Sequence, residues 1–350
     1  MKFLFLYTEL SQYFIACVNE LSKTGNHEIH VVRWAVNPEA PFDFTFSGKV
    51  KVYERNKFQK KSLAELTASI SPDLIYCSGW IDKEYLAVCK DFRKKIPVVV
   101  GFDNKWTGSL KQQLGSVLKE VTIAKYFSHA WIPGVPQKEF AQKMGFDQAH
   151  TLQGFYSCDL DLFHDLYLKF REEKKNKFPH KFIFVGRYNE SKGVNDLWKA
   201  FAELLTEMPC DWELWCAGTG EVRPVEHPRI RHLGFVQPND MHRVIGETGV
   251  FILPSMFEPW GVAVHEFAAA GFPLICSTEV GAASAFLQDG KNGFSFRAGN
   301  KEDLKSAVKK VLAATDNKLF EMGERSAELA TKISPRTWTD TLLSVLKQIK

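Results

Sequence analysis

The sequence predicts an α/β protein made of two consecutive domains of similar size, each a parallel sheet with helices on both faces. Three observations carry that expectation. Short apolar runs rich in β-branched and aromatic residues recur, separated by stretches of helical periodicity. The alternation runs through the first half, meets the charged segment LKFREEKKNKFPHK (168–181), and then restarts. The chain has 350 residues, enough for two hydrophobic cores.

In the first half the strand runs are KFLFLY (2–7), HEIHVV (27–32), DLIYCS (73–78), PVVVGF (97–102) and HAWIP (129–133), with a helix over 11–23 placing Phe14, Val18 and Leu21 on one face. The segment 168–181, charged and broken by a proline, reads as an interdomain linker, with a solvated helix end as the alternative. Beyond it come KFIFVG (181–186), ELWCAG (213–218), IRHLGFV (230–236), VFILPS (250–255) and PLICST (273–278), with helices near 193–206, 239–246, 261–270, 303–314 and 318–333. Strand–helix alternation calls for parallel sheets, whose ligands bind beyond the carboxyl ends of the strands. With two such domains, the expected site is a cleft between them.

Composition narrows the function. Hydrophobic residues make up 45% and charged residues 25%, as in ordinary soluble proteins. The net charge of +4 is spread over both halves, which argues against a nucleic-acid binder. The seven cysteines form no CxxC pair and no metal-binding spacing, so reduced thiols in a cytosolic protein are expected, with Cys77, Cys216 and Cys276 in the core. No apolar run is long enough to span a bilayer, and MKFLFLYTELSQYF reads as a strand rather than a signal peptide. Peripheral membrane contact stays compatible with the sequence. The amphipathic, lysine-bearing stretch LKQQLGSVLKEV (110–121) could make it, although a helix packing on its own domain is the first expectation.

The second half places polar residues where a ligand is expected. After KFIFVG, ending in Gly186, come Arg187 and, in YNESKG, Lys192, at a strand end and the following helix start. Such cations can meet phosphate oxygens, or be two solvated loop residues. VFILPS leads into MFEPWG and a helix entry at Gly261, where the N–H groups of Trp260, Gly261, Val262 and Ala263 would form an anion site. Glu258 stands at the mouth and Glu266 a turn or more inside, about 80° apart around the axis if the helix spans both. Carboxylates accept hydrogen bonds from vicinal hydroxyls, and a diphosphate suits the cations and helix end. The residues thus point to a nucleotide sugar.

These motifs resemble the retaining glycosyltransferases of the GT-B fold, of the family-four, group 1 type. The likeness is densest over 181–296, in VGRYNESKG, CAGTGE, the run from HLGFV to PSMFEPWGVAVHEFAAAGFPLICS with its two glutamates eight residues apart, and DGKNGFSF. Weaker landmarks are SPDLIYCSG, WIPGVPQKEFAQKMGF and GFYSCDLDLF. The resemblance implies two Rossmann-like domains facing each other across a cleft: an acceptor domain over 1–168, a donor domain over 169–335, and a C-terminal helix, 336–350, returning to the first domain. It implies that Arg187 and Lys192 bind the donor diphosphate, that Glu258 contacts the donor sugar, and that Glu266 holds the ribose. The backbone of Gly186, Trp260, Gly261 and Val262 would approach sugar and phosphate, and that of Phe235 and Val236 the base.

It further implies retention of anomeric configuration, no metal and no cofactor beyond a UDP-, GDP- or ADP-sugar co-substrate. The acceptor would be a saccharide or a lipid-linked acceptor, in polysaccharide or glycolipid synthesis on the cytoplasmic side of a membrane. The sequence departs from relatives in the first domain. TELSQYF has no glycine, leaving Gln12 and Tyr13 as cleft candidates. Asp103 and Asn104 stand where relatives carry a histidine, Asp103 having helix capping as its alternative role. Ala285 stands near a position where relatives often carry a glutamate. Asp159 and Asp161 have a metal-binding D-x-D spacing but lie outside that motif's usual fold, and His265 reads as a helical histidine rather than a catalyst. Two other readings share the fold: a glycoside phosphorylase and a non-catalytic partner subunit.

Overall fold

The computed structural model describes residues 1–37 and 44–347, which form two compact units, Met1–Ser157 with Ile333–Lys350, and Cys158–Lys332. In the first unit the elements are β1 (Lys2–Tyr7), α1 (Gln12–Lys23), β2 (Glu28–Arg33), β3 (Val50–Glu54), α2 (Lys60–Ile70), β4 (Leu74–Ser78), α3 (Lys83–Phe92), β5 (Val98–Gly101), α4 (Leu110–Val117), α5 (Lys119–Thr122), β6 (His129–Ile132), α6 (Lys138–Lys143) and β7 (Thr151–Gln153). The strands pair in parallel in the order β3-β2-β1-β4-β5-β6-β7.

A parallel sheet covered on both faces turns its strands into continuous apolar runs. KFLFLY shows how the faces divide. Phe3, Phe5 and Tyr7 pack with Phe14, Val18 and Leu21 of α1, whereas Leu4 and Leu6 join the cluster of Leu63 from α2 and Tyr85, Val88 and Cys89 from α3. β3 is an edge strand, and its Lys51, Val52 and Glu54 are exposed, so it has no apolar run to betray it in the sequence.

The second unit contains α7 (Leu160–Asn176), β8 (Lys181–Val185), α8 (Val194–Glu207), β9 (Glu213–Ala217), β10 (Ile230–Gly234), α9 (Met241–Glu247), β11 (Val250–Leu253), α10 (Val262–Ala269), β12 (Leu274–Ser277), α11 (Ala283–Phe286), β13 (Gly293–Phe296), α12 (Lys301–Leu312) and α13 (Asp316–Ala330). Its six strands are parallel in the order β10-β9-β8-β11-β12-β13. The order reverses direction between β8 and β11, which makes their carboxyl ends the expected ligand crevice of this sheet.

Two sequence expectations are corrected here. The charged segment read as a linker is mostly the second half of α7, with Asp159 as its cap and Phe163, Leu166 and Lys174 buried. Its charges are the solvent side of an amphipathic helix, and Lys174 lies with its ammonium 3.7 Å from the Phe272 ring centroid, where burial pulls its pKa down to about 7. The stretch 110–121 does not pack its apolar face on its own unit, for neither α4 nor α5 has a buried residue.

The last helix, α14 (Pro335–Lys347), belongs to the first unit, where Trp338, Leu342 and Val345 are buried; residues 348–350 of the expected C-terminal helix lie outside the described residues. Trp338 stacks on Trp131 with centroids 4.8 Å apart and donates its indole N–H to the Phe155 carbonyl at 3.0 Å. Trp338→Ala removes a buried ring and strands that carbonyl. We expect about 3–5 kcal/mol loss of stability, read as a lowered denaturant midpoint in near-ultraviolet circular dichroism.

Candidate functional site

The loops after β8 and β11 are bonded to each other. Met256 and Phe257 donate their backbone N–H groups to the Ser191 carbonyl at 2.7 and 3.3 Å. Asn189 accepts at its side-chain oxygen from the Lys192 N–H at 3.1 Å and closes a short 3-10 turn over Glu190–Lys192. Gly193 then takes φ +67°, and a Cβ there would stand 2.3 Å from the Pro254 carbonyl oxygen. Only glycine allows both the left-handed backbone and this close approach. The final lysine of YNESKG is thereby delivered to the loop after β11.

There Lys192 Nζ donates to Glu258 Oε2 in an ion pair, with the side chains 22% and 11% exposed, and Ser255 Oγ stands 3.4 Å from the same oxygen. Backbone from the following segment holds Glu258 in place. The Gly281 N–H donates to the Glu258 carbonyl at 3.0 Å and the Ala282 N–H to that of Trp260 at 2.8 Å. The sequence pattern did not show that Lys192 and Glu258 meet, since they are 66 positions apart. Arg187 is exposed, between Gly186 at the β8 end and Tyr188, whose buried ring anchors the loop and whose hydroxyl lies 2.9 Å from the Cys216 carbonyl.

Gly261 caps α10 at φ +91°, and a Cβ there would lie 2.9 Å from Glu258 Cγ. Because α10 begins only at Val262, Glu258 is outside the helix, and the 80° relation expected for two residues on one helix does not hold. The first N–H groups of a helix have no partner within it, and Gly261, Val262 and Ala263, all half-buried, stand at that end of α10. The Trp260 ring is core, so what it can present to a ligand is backbone. Phe235 and Val236 are half-buried just beyond Gly234 at the β10 end.

Glu266 is half-buried on α10, and burial pushes its carboxyl up to about 7, with the charge of Asp159 adding to the rise. Asp159 itself caps α7, accepting from the Leu162 N–H at 3.3 Å, which gives this member of the D-x-D pair a structural task. His265 is fully buried, as a packed histidine should be. Its Nδ1 accepts from the Cys158 N–H at 3.1 Å, its Nε2 donates to the Ala330 carbonyl at 2.9 Å, and its ring stacks on Phe286.

In the first unit, Asp103 and the exposed Asn104 follow β5, while the half-buried Gln12 and Tyr13 open α1. Asp103 caps no helix. Tyr156 donates its hydroxyl to Asp103 Oδ2 at 3.3 Å, and Gln137 donates its amide to the Asp103 carbonyl at 3.3 Å. Tyr13 meets Tyr156 edge-on at 5.1 Å, and burial pushes the hydroxyls of Tyr7, Tyr13, Tyr76 and Tyr156 upward in pKa, the Asp103 charge contributing at each. Tyr156 is a member of this group that sequence reasoning missed, and its only signal was its place in GFYS after a three-residue strand.

All seven cysteines are free thiols. Among the described residues no group of three or more His, Cys, Asp or Glu could hold a metal ion, and no helix is long and apolar enough to cross a membrane.

Two parallel α/β units, each with polar residues at the carboxyl edge of its sheet, are the architecture of GT-B proteins, and the chain has that fold. The structure of trehalose-6-phosphate synthase from E. coli bound with UDP-2-fluoro glucose superposes with a TM-score of 0.75 over 100% of both chains at 12% identity. Anabaena HepE in complex with UDP and glucose gives 0.68 over 98% of this chain and 99% of that one at 16% identity. Within the fold, residues 179–314 match the family "Glycosyl transferases group 1". An uncharacterized glycosyltransferase of Methanocaldococcus jannaschii is 28% identical over 169 residues, 45% of this chain and 42% of that protein. D-inositol 3-phosphate glycosyltransferase of Corynebacterium kroppenstedtii is 28% identical over 167 residues, 43% of this chain and 36% of that protein. The chain thus matches less than half the length of these curated relatives.

Two measurements test the site's electrostatics. A part-buried ion pair leaves an uncompensated charge when one partner is removed. In a double-mutant cycle of Lys192→Met and Glu258→Gln, each single change should destabilise the chain, with a coupling of about 0.5–3 kcal/mol in denaturant unfolding. The folded pKa of Glu266, about 7, lies above its ordinary value of 4.5, so the folded chain holds this proton more tightly than the unfolded chain. The penalty for a charged Glu266 is absent below the ordinary value and complete above the folded one. Relative to Glu266→Gln, wild-type stability should therefore fall by about 1–3 kcal/mol as pH rises through that window, measured by unfolding at a series of pH values.

Proposed function

We propose that the chain transfers a sugar from a nucleotide-diphosphate sugar to a hydroxyl of a saccharide or lipid-linked acceptor, with retention at the anomeric carbon and without a metal ion. The observation that carries this reading is the Lys192–Glu258 pair at the β8/β11 reversal, directly before the α10 N-terminus. A donor entering there offers hydroxyls to Glu258 and phosphate oxygens to Lys192, so one ligand replaces the ion pair on both sides. Arg187 and the N–H groups of Gly261 and Val262 add positive potential at the same end.

In transfer, the bond from the anomeric carbon to the diphosphate oxygen breaks and one to the acceptor oxygen forms. The electron pair leaves with the diphosphate, whose departing oxygen takes the proton that the acceptor hydroxyl gives up. Lys192, Arg187 and the helix end stabilise that developing charge with groups already oriented, which is where an electrostatic site gains most. Glu266 binds the ribose hydroxyls, and the backbone at Gly186, Phe235 and Val236 approaches sugar and base. Asp103, oriented by Tyr156, accepts hydrogen bonds from substrate hydroxyls at the first unit's sheet edge, and Tyr13, Gln12 and Asn104 are further candidates to meet the substrate. The proposed role lies in polysaccharide or glycolipid synthesis at the cytoplasmic side of a membrane.

UDP is the first nucleotide to try, because the E. coli and Anabaena proteins of this fold were solved with UDP or a UDP-sugar. Calorimetric titration with UDP, GDP, ADP and CMP, with and without EDTA, should find selective, EDTA-insensitive binding of one diphosphate, weakened at least about tenfold, ~1.4 kcal/mol, in Glu266→Ala. Absence of binding across the panel would overturn the donor-site reading.

A further inference from the structure

The connection between β5 and β6 carries its apolar face outward. Leu110, Leu114, Val117 and Val121 recur at helical spacing, forming one stripe along α4 and α5 with Leu118 at its margin, and the five side chains are 43 to 84% exposed. The opposite side is the one that meets the unit. A Cβ on Gly115 would lie 4.0 Å from Met144 Cε, and one on Gly145 would lie 3.2 Å from Lys119 Cδ, so the Lys119 stem covers Gly145. A glycine and a lysine stem therefore face the protein while the branched aliphatic side chains face solvent, the reverse of a helix laid on a core.

The surroundings are basic. From Asn104 to Lys138 there are five lysines and one acid, Glu120. Lys111 and Lys125 are exposed within or just beyond the two helices. Two more large aliphatic side chains, Ile81 and Val135, are 67% and 65% exposed in the loops leaving β4 and β6, the strands on either side of β5. Exposed aliphatics on a helix flanked by lysines have the chemistry of an interfacial segment, with apolar groups entering the headgroup region and ammonium groups meeting lipid phosphates. A second copy of the chain fits less well. A two-fold contact through this face would set the same lysines against each other.

We propose that the α4–α5 stripe seats this chain on the surface of an anionic lipid bilayer. Binding needs no nucleotide, so the inference stands or falls apart from the donor-site reading. The test is co-sedimentation of the full chain with phosphatidylcholine vesicles, with and without about 30% phosphatidylglycerol. Two variants accompany it, Leu114→Glu/Val117→Glu and Lys111→Glu/Lys125→Glu. All four side chains are exposed, so both variants should fold with wild-type thermal midpoints.

The expected result is binding to the anionic vesicles at least about tenfold tighter than to the neutral ones, weakened by salt, and lost in both variants. No binding to either vesicle, equal binding to both, or binding unchanged in the variants would each overturn the proposal. So would a dimer in solution that Leu114→Glu/Val117→Glu dissolves while vesicle binding is absent, since the stripe would then belong to a second copy.

Discussion

The ion pair between Lys192 and Glu258 is the constraint on which the rest of the second unit's site depends. It joins the two strand ends at which the sheet order reverses, and it does so with side chains that are mostly out of water. A pair in that position is only as useful as its support, because each partner alone would be a costly buried charge. The support is mainly backbone: the Asn189 cap, the left-handed Gly193 against Pro254, the bonds from Met256 and Phe257 to Ser191, and the clasp of Glu258 by Gly281. These contacts fix both partners of the pair from the backbone side.

Near this pair, adjacent residues of one short helix stand in very different environments. His265 spends both ring nitrogens on backbone groups near the start of α7 and the end of α13, and so holds α10 in place. Its neighbour Glu266 lies half-buried near the charge of Asp159, and holds its proton to about 7. Lost hydration penalises the charged carboxylate, and groups that donate hydrogen bonds to it would offset that penalty. In the first unit the corresponding device is a set of tyrosines around Asp103, where Tyr156 orients the carboxylate without supplying an opposing charge.

Much of this was legible in the sequence. KFLFLY, PVVVGF, KFIFVG and VFILPS read as buried strands because parallel strands are apolar on both faces, and all four became strands. The same logic failed where burial is one-sided or brief: β3 is an exposed edge, β7 has three residues, and α7 carries its charges on one face of a helix, so it read as a linker. The stripe on α4 was recognised as amphipathic but placed facing the wrong way. Periodicity reports that a face exists and says nothing of what lies against it.

By itself, then, the sequence determined the α/β class, the strand ends at which polar residues gather and the candidacy of Arg187, Lys192, Glu258 and Glu266, because local spacing and composition locate them and the resemblance of their motifs to a known family singles them out. Only the tertiary structure decided that Lys192 meets Glu258 across 66 positions, that Tyr156 reaches Asp103, that His265 is fully bonded in the core, and that Glu266 sits where its proton is held. Each of these depends on strand order and on exclusion of water, which are properties of the folded chain and not of any single stretch of it.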